Sequence, residues 1–366
     1  MLQRLYIDNY RSFVNFEFKP EALCLLVGEN GGGKSTILDV IALLRDFVTG
    51  KVTVDAFPTA TLTRWDARPL QRFEADFWIE GQMFSYRLVI EHEIQRSLQR
   101  VQQEFLELDG KPLYAFRDRV AQLYRDDHSQ GPTIAFDWSR SGIGMLQSGP
   151  SNLYLSRFRE HLGRILVLGL IPAMIAAESE RETLVLDRAG HDFVSWYRAM
   201  ALENPAATMK VVTALREMMP GLAALPLRES GSKRLLKVQF DGVAGAQTRY
   251  QEYGFDELSD GQRALMILYA LLYLYEDRSL LLCLDEPDNY VALREIQPWL
   301  AELQERCATS GGIQAILVSH HPELMNYLGD ERILLIERDQ GGPTRVKPFA
   351  STDGLDAGET LARGWQ

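Results

Sequence analysis

The chain has little cysteine, no long apolar run and no surplus of positive charge, and each shortage removes a class of protein. Its 366 residues contain only Cys24, Cys283 and Cys307, scattered, with two of them inside apolar stretches. That pattern supports neither a disulfide framework nor a zinc-ligand spacing, and it favours a reducing, cytoplasmic setting. The opening residues, MLQRLYIDNYRSF, lack the apolar core of a secretory signal. The longest apolar runs, 165–177 and 264–275, are too short for a bilayer, so no membrane is expected as a partner and both read as core helices. Lysine and arginine total 39 against 50 acidic residues, a net charge of −11. Overall charge therefore gives no help in approaching DNA, although a local basic face is compatible with it. Repeats, low-complexity tracts and heptads long enough for a coiled coil are also missing.

What is present centres on GENGGGKST, residues 28–36, which matches the phosphate-cradling pattern G-x-x-x-x-G-K-[ST]. Gly28, Gly33, Lys34 and Ser35 occupy the fixed positions, with Asn30, Gly31 and Thr36 beside them. ALCLLV before the loop reads as a buried strand, and ILDVIALL after it reads as a helix. Glycines let the backbone curl so that its N–H groups point inward, and the helix start adds partial positive charge. The pattern predicts Lys34 on the β- and γ-phosphates of ATP and the Ser35 hydroxyl on Mg2+.

Along the chain, period-two alternation predicts strands over 2–7, 13–18 and 72–90, with a turn at Gly81-Gln82. Another pair is expected over 101–108 and 113–116, with polar loops at 126–132 and 139–151. Helical spacing then takes over at 153–167, 191–202 and 205–219, Asn204-Pro205 marking a helix start. Strands are expected at 235–240, 248–253, 280–284, 313–319, 332–337 and 344–347, with a helix over 259–275. The fold class is thus α/β, a strand-rich N-terminal lobe and a mostly parallel core sheet with a helical insertion lobe. The expected division is 1–144 and 232–350 for the sheet core, 145–231 for the insertion, and 351–366 for a tail.

Three further stretches bear on the same chemistry. LLLCLDEPDNY, 280–290, is an apolar strand ending in two carboxylates. At the edge of a sheet Asp285 would hold Mg2+ and Glu286 would polarise the attacking water. LSDGQRAL, 258–265, opens a helix with Ser259, Gly261 and Gln262. It reads as a capping box, as a second anion site, or as both at once. ILVSHHPEL, 316–324, is a strand followed by His320, on the edge where open α/β sheets bind ligands.

The order GENGGGKST, LSDGQ, LLLCLDEP, VSHH resembles the ABC-type ATPase head of the SMC-like and RecF-like branch, as Walker A, signature, Walker B and switch histidine. IDNYRSF resembles that branch's opening strand-turn, and the look-alikes include compact stand-alone ATPases related to the overcoming-lysogenization-defect group. The resemblance implies a single P-loop NTPase head over 1–366 that pairs with a second head, a homodimer, across two ATP molecules. Lys34, Glu286 and His320 would carry hydrolysis, while Ser259, Gly261 and Gln262 would act on the partner's nucleotide. Gln147 is the candidate for the Q-loop glutamine beside the metal. It further implies control of a separate effector, a nuclease or toxin, in defence against phage. Two alternatives stay open: a RecF-like repair ATPase clamping duplex DNA, and the nucleotide-binding subunit of a transporter, which IDNYRSF and DEPDNYV disfavour. No TOPRIM-like domain or coiled-coil arm is expected, and Asp288-Asn289 departs from the histidine-proline pair common in compact relatives.

Overall fold

Apolar residues alternating at period two build an eight-stranded antiparallel sheet in the computed structural model. In spatial order its strands are Phe16–Phe18, Leu2–Asp8, Leu70–Ile79, Gln82–Glu93, Leu98–Leu108, Lys111–Arg117, Val120–Tyr124 and Gln130–Ala135. The structure describes residues 1–242, 249–275, 280–309, 312–338, 341–351 and 355–364. The chain divides into two units, Met1–Ile165 with Met325–Gln366, and Leu166–Leu324.

In the first unit the sheet is closed by three two-residue turns, Glu80-Gly81, Asp109-Gly110 and Asp118-Arg119, each with positive φ at both residues. That conformation matches the right-handed twist of the flanking strands. The inward face carries Phe77, Phe84 and Tyr86, whose rings pack around Phe158 of the helix Leu153–Gly163. The strand Leu23–Val27 is buried at every position. It runs parallel to Ile333–Arg338, which pairs antiparallel with Thr344–Pro348.

In the second unit Leu166–Leu168, Leu280–Asp285 and Ile313–Val318 run parallel and side by side. Their largely apolar sequences, broken by Gln314 and ending at Asp285, suit strands covered on both faces. A second, antiparallel group gathers on Lys233–Asp241, which pairs with Glu178–Ser179, Leu222–Ala224, Leu227–Ser230 and Tyr250–Gly254. The helix Asp260–Leu274 buries ten of its residues, in keeping with an apolar sequence on nearly every side. Trp299 donates from its indole to the Leu268 carbonyl at 2.8 Å, and Trp196 to the Tyr275 hydroxyl at 3.0 Å, so both rings are buried without an orphaned donor.

Several expectations need correction. The apolar run 165–177 is not a helix: it holds the strand Leu166–Leu168 and a single 3-10 turn at Pro172–Met174. Three residues next to Leu280–Asp285 gain a parallel ladder there, and Pro172 bars helix continuation from upstream. The stretch 145–231 is accordingly mixed, with helices Leu153–Gly163, Phe193–Glu203 and Pro205–Met218 interspersed with short strands. The first hairpin turns at Glu80-Gly81, one residue before the expected pair. The polar stretch from Gln130 becomes an exposed edge strand rather than a loop. Thr248, at the start of an expected strand, lies outside the described residues, and the tail contains the helix Ala357–Gly364.

One buried group was not legible beforehand. Glu104, fully buried on the strand Leu98–Leu108, accepts from the Ser141 hydroxyl at 2.6 Å, the Gly142 amide at 2.9 Å and the Tyr86 hydroxyl at 3.0 Å. It thereby ties the sheet to the short helix Gly142–Met145. Burial pushes its carboxyl up to about 7 from the ordinary 4.5, and the donors only partly offset this. The folded state therefore binds the proton more tightly than the unfolded chain. Stability is greatest below about pH 4.5, falls as the pH rises towards 7 and then levels, by about 3 kcal/mol in all for this one group. Thermal melts at pH 5 and pH 8 test this: Glu104→Gln should show a smaller difference between the two than the wild type.

Candidate functional site

The phosphate loop follows a strand with no polar face, and its glycines are required by what lies beneath them. Gly28, Gly31 and Gly33 have φ of 140°, 80° and 114°. A Cβ at Gly28 would stand 2.0 Å from the Ile336 carbonyl oxygen, and one at Gly32 would stand 3.0 Å from the same atom. The Thr344 hydroxyl donates to the Gly32 carbonyl at 2.8 Å and shares a 2.8 Å hydrogen bond with the Ser12 hydroxyl. Lys34 is buried, and its ammonium donates to the carbonyls of Gly28 at 2.7 Å and Glu29 at 2.9 Å. The helix Lys34–Val48 starts at Gly33, which brings no capping side chain to the first-turn N–H groups. Those groups and the helix dipole favour an anion. Asn30, Gly31 and Ser35 are exposed, and Thr36 is half-buried. Arg11, within YRSF, donates to Asp39 at 2.8 Å and Thr36 at 3.3 Å, placing a cation on the first turns of the same helix.

In the second unit, Asp285 ends the strand Leu280–Asp285 in register with Val318. Glu286 follows with φ of 51°, a left-handed conformation that a non-glycine residue adopts at a cost of about 1–3 kcal/mol. Its amide is held by the Val318 carbonyl at 2.8 Å, and its carboxylate accepts from the Asn289 side chain. His320 Nε2 stands 3.8 Å from Glu286 Oε1. Behind them Ser319, fully buried, donates to Asp288 at 2.8 Å and accepts from the His321 amide at 3.0 Å. Burial pushes the Asp288 carboxyl upward. Asn289, Asp288 and Ser319 thus shape the setting of Glu286 and His320. The sequence offered only their proximity to DEP and HH as a signal.

Ser259 caps the helix Asp260–Leu274, accepting from the Gln262 amide at 3.3 Å while Gln262 accepts from the Ser259 amide at 3.1 Å. This is the capping box expected from the spacing. Gly261 serves a purpose that the spacing did not reveal. A Cβ there would stand 2.7 Å from the Tyr290 carbonyl oxygen, so the glycine lets the loop after Glu286 reach the helix start. Gln147 is exposed between two helices of the first unit, its carbonyl accepting from Asn152 at 3.0 Å.

The structure brings Asp285, Glu286 and His320 together in one unit and builds the phosphate loop in the other. Ser35 and Asp285 offer hard oxygen donors, which suit Mg2+. Among the described residues no cluster of three His, Cys, Asp or Glu could hold a metal by itself. Either oxygen by itself fits a magnesium ion that takes the rest of its shell from phosphate oxygens and water.

Two family models match the chain. Residues 4–109 match "AAA domain", and residues 202–326 match "AAA domain, putative AbiEii toxin, Type IV TA system". The first segment contains the phosphate loop and the second contains the signature, Asp285, Glu286 and His320. Each of these two segments is thus similar to an AAA domain. None of the curated proteins matches its sequence. Among solved structures it is similar to the SMC head domain from Thermotoga maritima, at 15% identity, over 95% of this chain and 99% of that one, with a TM-score of 0.46.

The packing of Gly28 supplies a test of the loop. Gly28→Ala must move the backbone away from Ile336, because both the positive φ and the contact forbid a Cβ. It should destabilise the protein by roughly 1–3 kcal/mol and abolish nucleotide binding, measured by thermal melting and by fluorescence titration with a labelled ATP.

Proposed function

We propose that this chain binds Mg2+·ATP and hydrolyses it within a head-to-head homodimer, and that this cycle controls a separate effector protein, a nuclease or toxin. One observation carries the hydrolytic reading: Glu286 is held in a strained conformation beside Asp285, with His320 3.8 Å away. Strain of this kind persists where surrounding structure fixes a side chain for a task.

The proposed division of labour follows from the residue chemistry. Backbone amides of 28–36 and the Lys34 ammonium bind the phosphates. Mg2+, when bound with the nucleotide, would supply charge that neutralises the phosphate oxygens. Glu286 accepts the proton of the attacking water, and Asn289 orients its carboxylate. His320 donates towards charge that builds on the transferred phosphoryl group. Ser259 is exposed at a helix start, a position suited to an anion offered by another molecule. A second head would present its nucleotide there, which makes the dimer the complete enzyme.

Control of an effector, and a role in defence against phage, rest on the resemblance to compact defence ATPases and on the AbiEii description of the second matching segment. Duplex clamping has less support. Three arginines on or beside the large sheet are already matched by carboxylates: Arg4 by Glu17, Glu74 and Asp76, Arg68 by Asp8 and Asp66, and Arg87 by Glu74. Those three offer little net charge for phosphate contacts.

Size-exclusion chromatography with and without ATP tests the dimer. Glu286→Gln should lose turnover by at least about 10²-fold and accumulate as an ATP-dependent dimer. Lys34→Ala should bind nucleotide roughly 10- to 100-fold more weakly and stay monomeric. A Glu286→Gln protein that remains monomeric with ATP would remove the sandwich. Ser259→Arg should leave ATP binding intact while abolishing hydrolysis, because the arginine blocks the surface offered to the partner. Unchanged turnover in that variant would reduce Ser259 to a helix cap.

A further inference from the structure

Asp285 has a neighbour from far upstream that no motif announces. The Arg188 guanidinium lies 3.8 Å from its carboxylate, and the position of Arg188 is built rather than incidental. Leu166–Leu168 runs parallel to Leu280–Asp285 with Leu168 opposite Leu284. The chain then passes Gly169, where a Cβ would stand 3.5 Å from Asp285 Cβ. The Gly169 amide donates to the Arg188 carbonyl at 2.8 Å, and the Ile171 amide to the Ala189 carbonyl at 3.0 Å. Beside it the Asp187 carboxylate accepts from the Gly190 amide at 2.6 Å and from the His191 amide and ring, at 3.0 Å and 2.9 Å. The Asp187 amide in turn donates to Asp192 at 2.9 Å. The backbone of Arg188 is therefore fixed at the strand edge where Asp285 ends, while its side chain is 47% exposed.

We propose that Arg188 is a positioning residue that holds the Asp285 carboxylate until Mg2+ arrives with the nucleotide, and so sets the magnesium requirement of the site. This rests on the reading of Asp285 as a magnesium ligand. A carboxylate waiting for a cation repels incoming phosphate, and a nearby guanidinium offsets that charge. At 3.8 Å and half in water, the pair attracts too weakly to be a structural strut. A divalent ion that coordinates the same oxygens outcompetes it. Arginine fits this task because it stays charged at every relevant pH and its long stem lets it swing aside without backbone movement.

The experiment titrates Mg2+ into protein with a fluorescent ATP analogue, starting from EDTA, and reads bound nucleotide rather than turnover. For Arg188→Ala the half-saturating Mg2+ should fall about three- to fivefold, because the internal competitor is gone. Arg188→Lys keeps the charge and should restore the wild-type midpoint. Raising the potassium chloride concentration should narrow the gap between wild type and Arg188→Ala. An Arg188→Ala midpoint equal to that of the wild type, or an Arg188→Lys midpoint equal to that of Arg188→Ala, overturns the proposal. If Arg188→Ala fails to fold by circular dichroism, Arg188→Gln keeps the stem and answers the same question. A wild type that binds the analogue equally with Mg2+ and with EDTA sinks instead the reading of Asp285.

Discussion

The Ile336 carbonyl pressed against the α-carbons of Gly28 and Gly32 is the contact on which the nucleotide pocket depends. It dictates glycine at two positions of the loop that leads into the helix start, where the first-turn N–H groups favour an anion. Thr344 adds a side-chain clamp from the next strand, joining Gly32 to Ser12. Lys34 bonded to the Gly28 and Glu29 carbonyls holds its ammonium within its own loop. The glycine run is thus the consequence of a packing constraint as much as of phosphate geometry.

A similar economy governs the second half of the chemistry. Glu286 accepts a costly backbone conformation because Val318, Asn289 and the buried Ser319–Asp288 pair over-determine it. Gly261 then lets the same loop touch the start of the signature helix through the Tyr290 carbonyl. The loop after Glu286 therefore lies against the turn that Ser259 caps, two residues from the cap itself. The helix that Ser259 caps is thus packed against the loop after Glu286 inside one unit.

Features set by short-range rules were legible in the sequence. Gly28–Thr36, the strand before it, Asp285 at a strand end and the Ser259–Gln262 capping box all follow from local periodicity and spacing. Features set by distant partners were not. Arg188 meets Asp285 only because Leu166–Leu168 joins the parallel strands, and that stretch read as helix because its apolar run has no periodicity to separate the two states. Glu104 lies within the expected strand 101–108, and nothing local marks it out from its polar neighbours. Its burial comes from Ser141 and Gly142 closing over it. The reason for Gly261 likewise lies in Tyr290, beyond the reach of any motif.

The Thr344–Gly32–Ser12 knot has a consequence for how the protein is made. Synthesis proceeds from the N-terminus, so the phosphate loop leaves the ribosome long before Ile336 and Thr344 exist to support it. A nascent chain carries the whole nucleotide-binding motif and yet lacks the surface against which that motif must fold. The glycine-rich loop therefore reaches its final packing only late in translation, once the strand that carries Ile336 and Thr344 has been made.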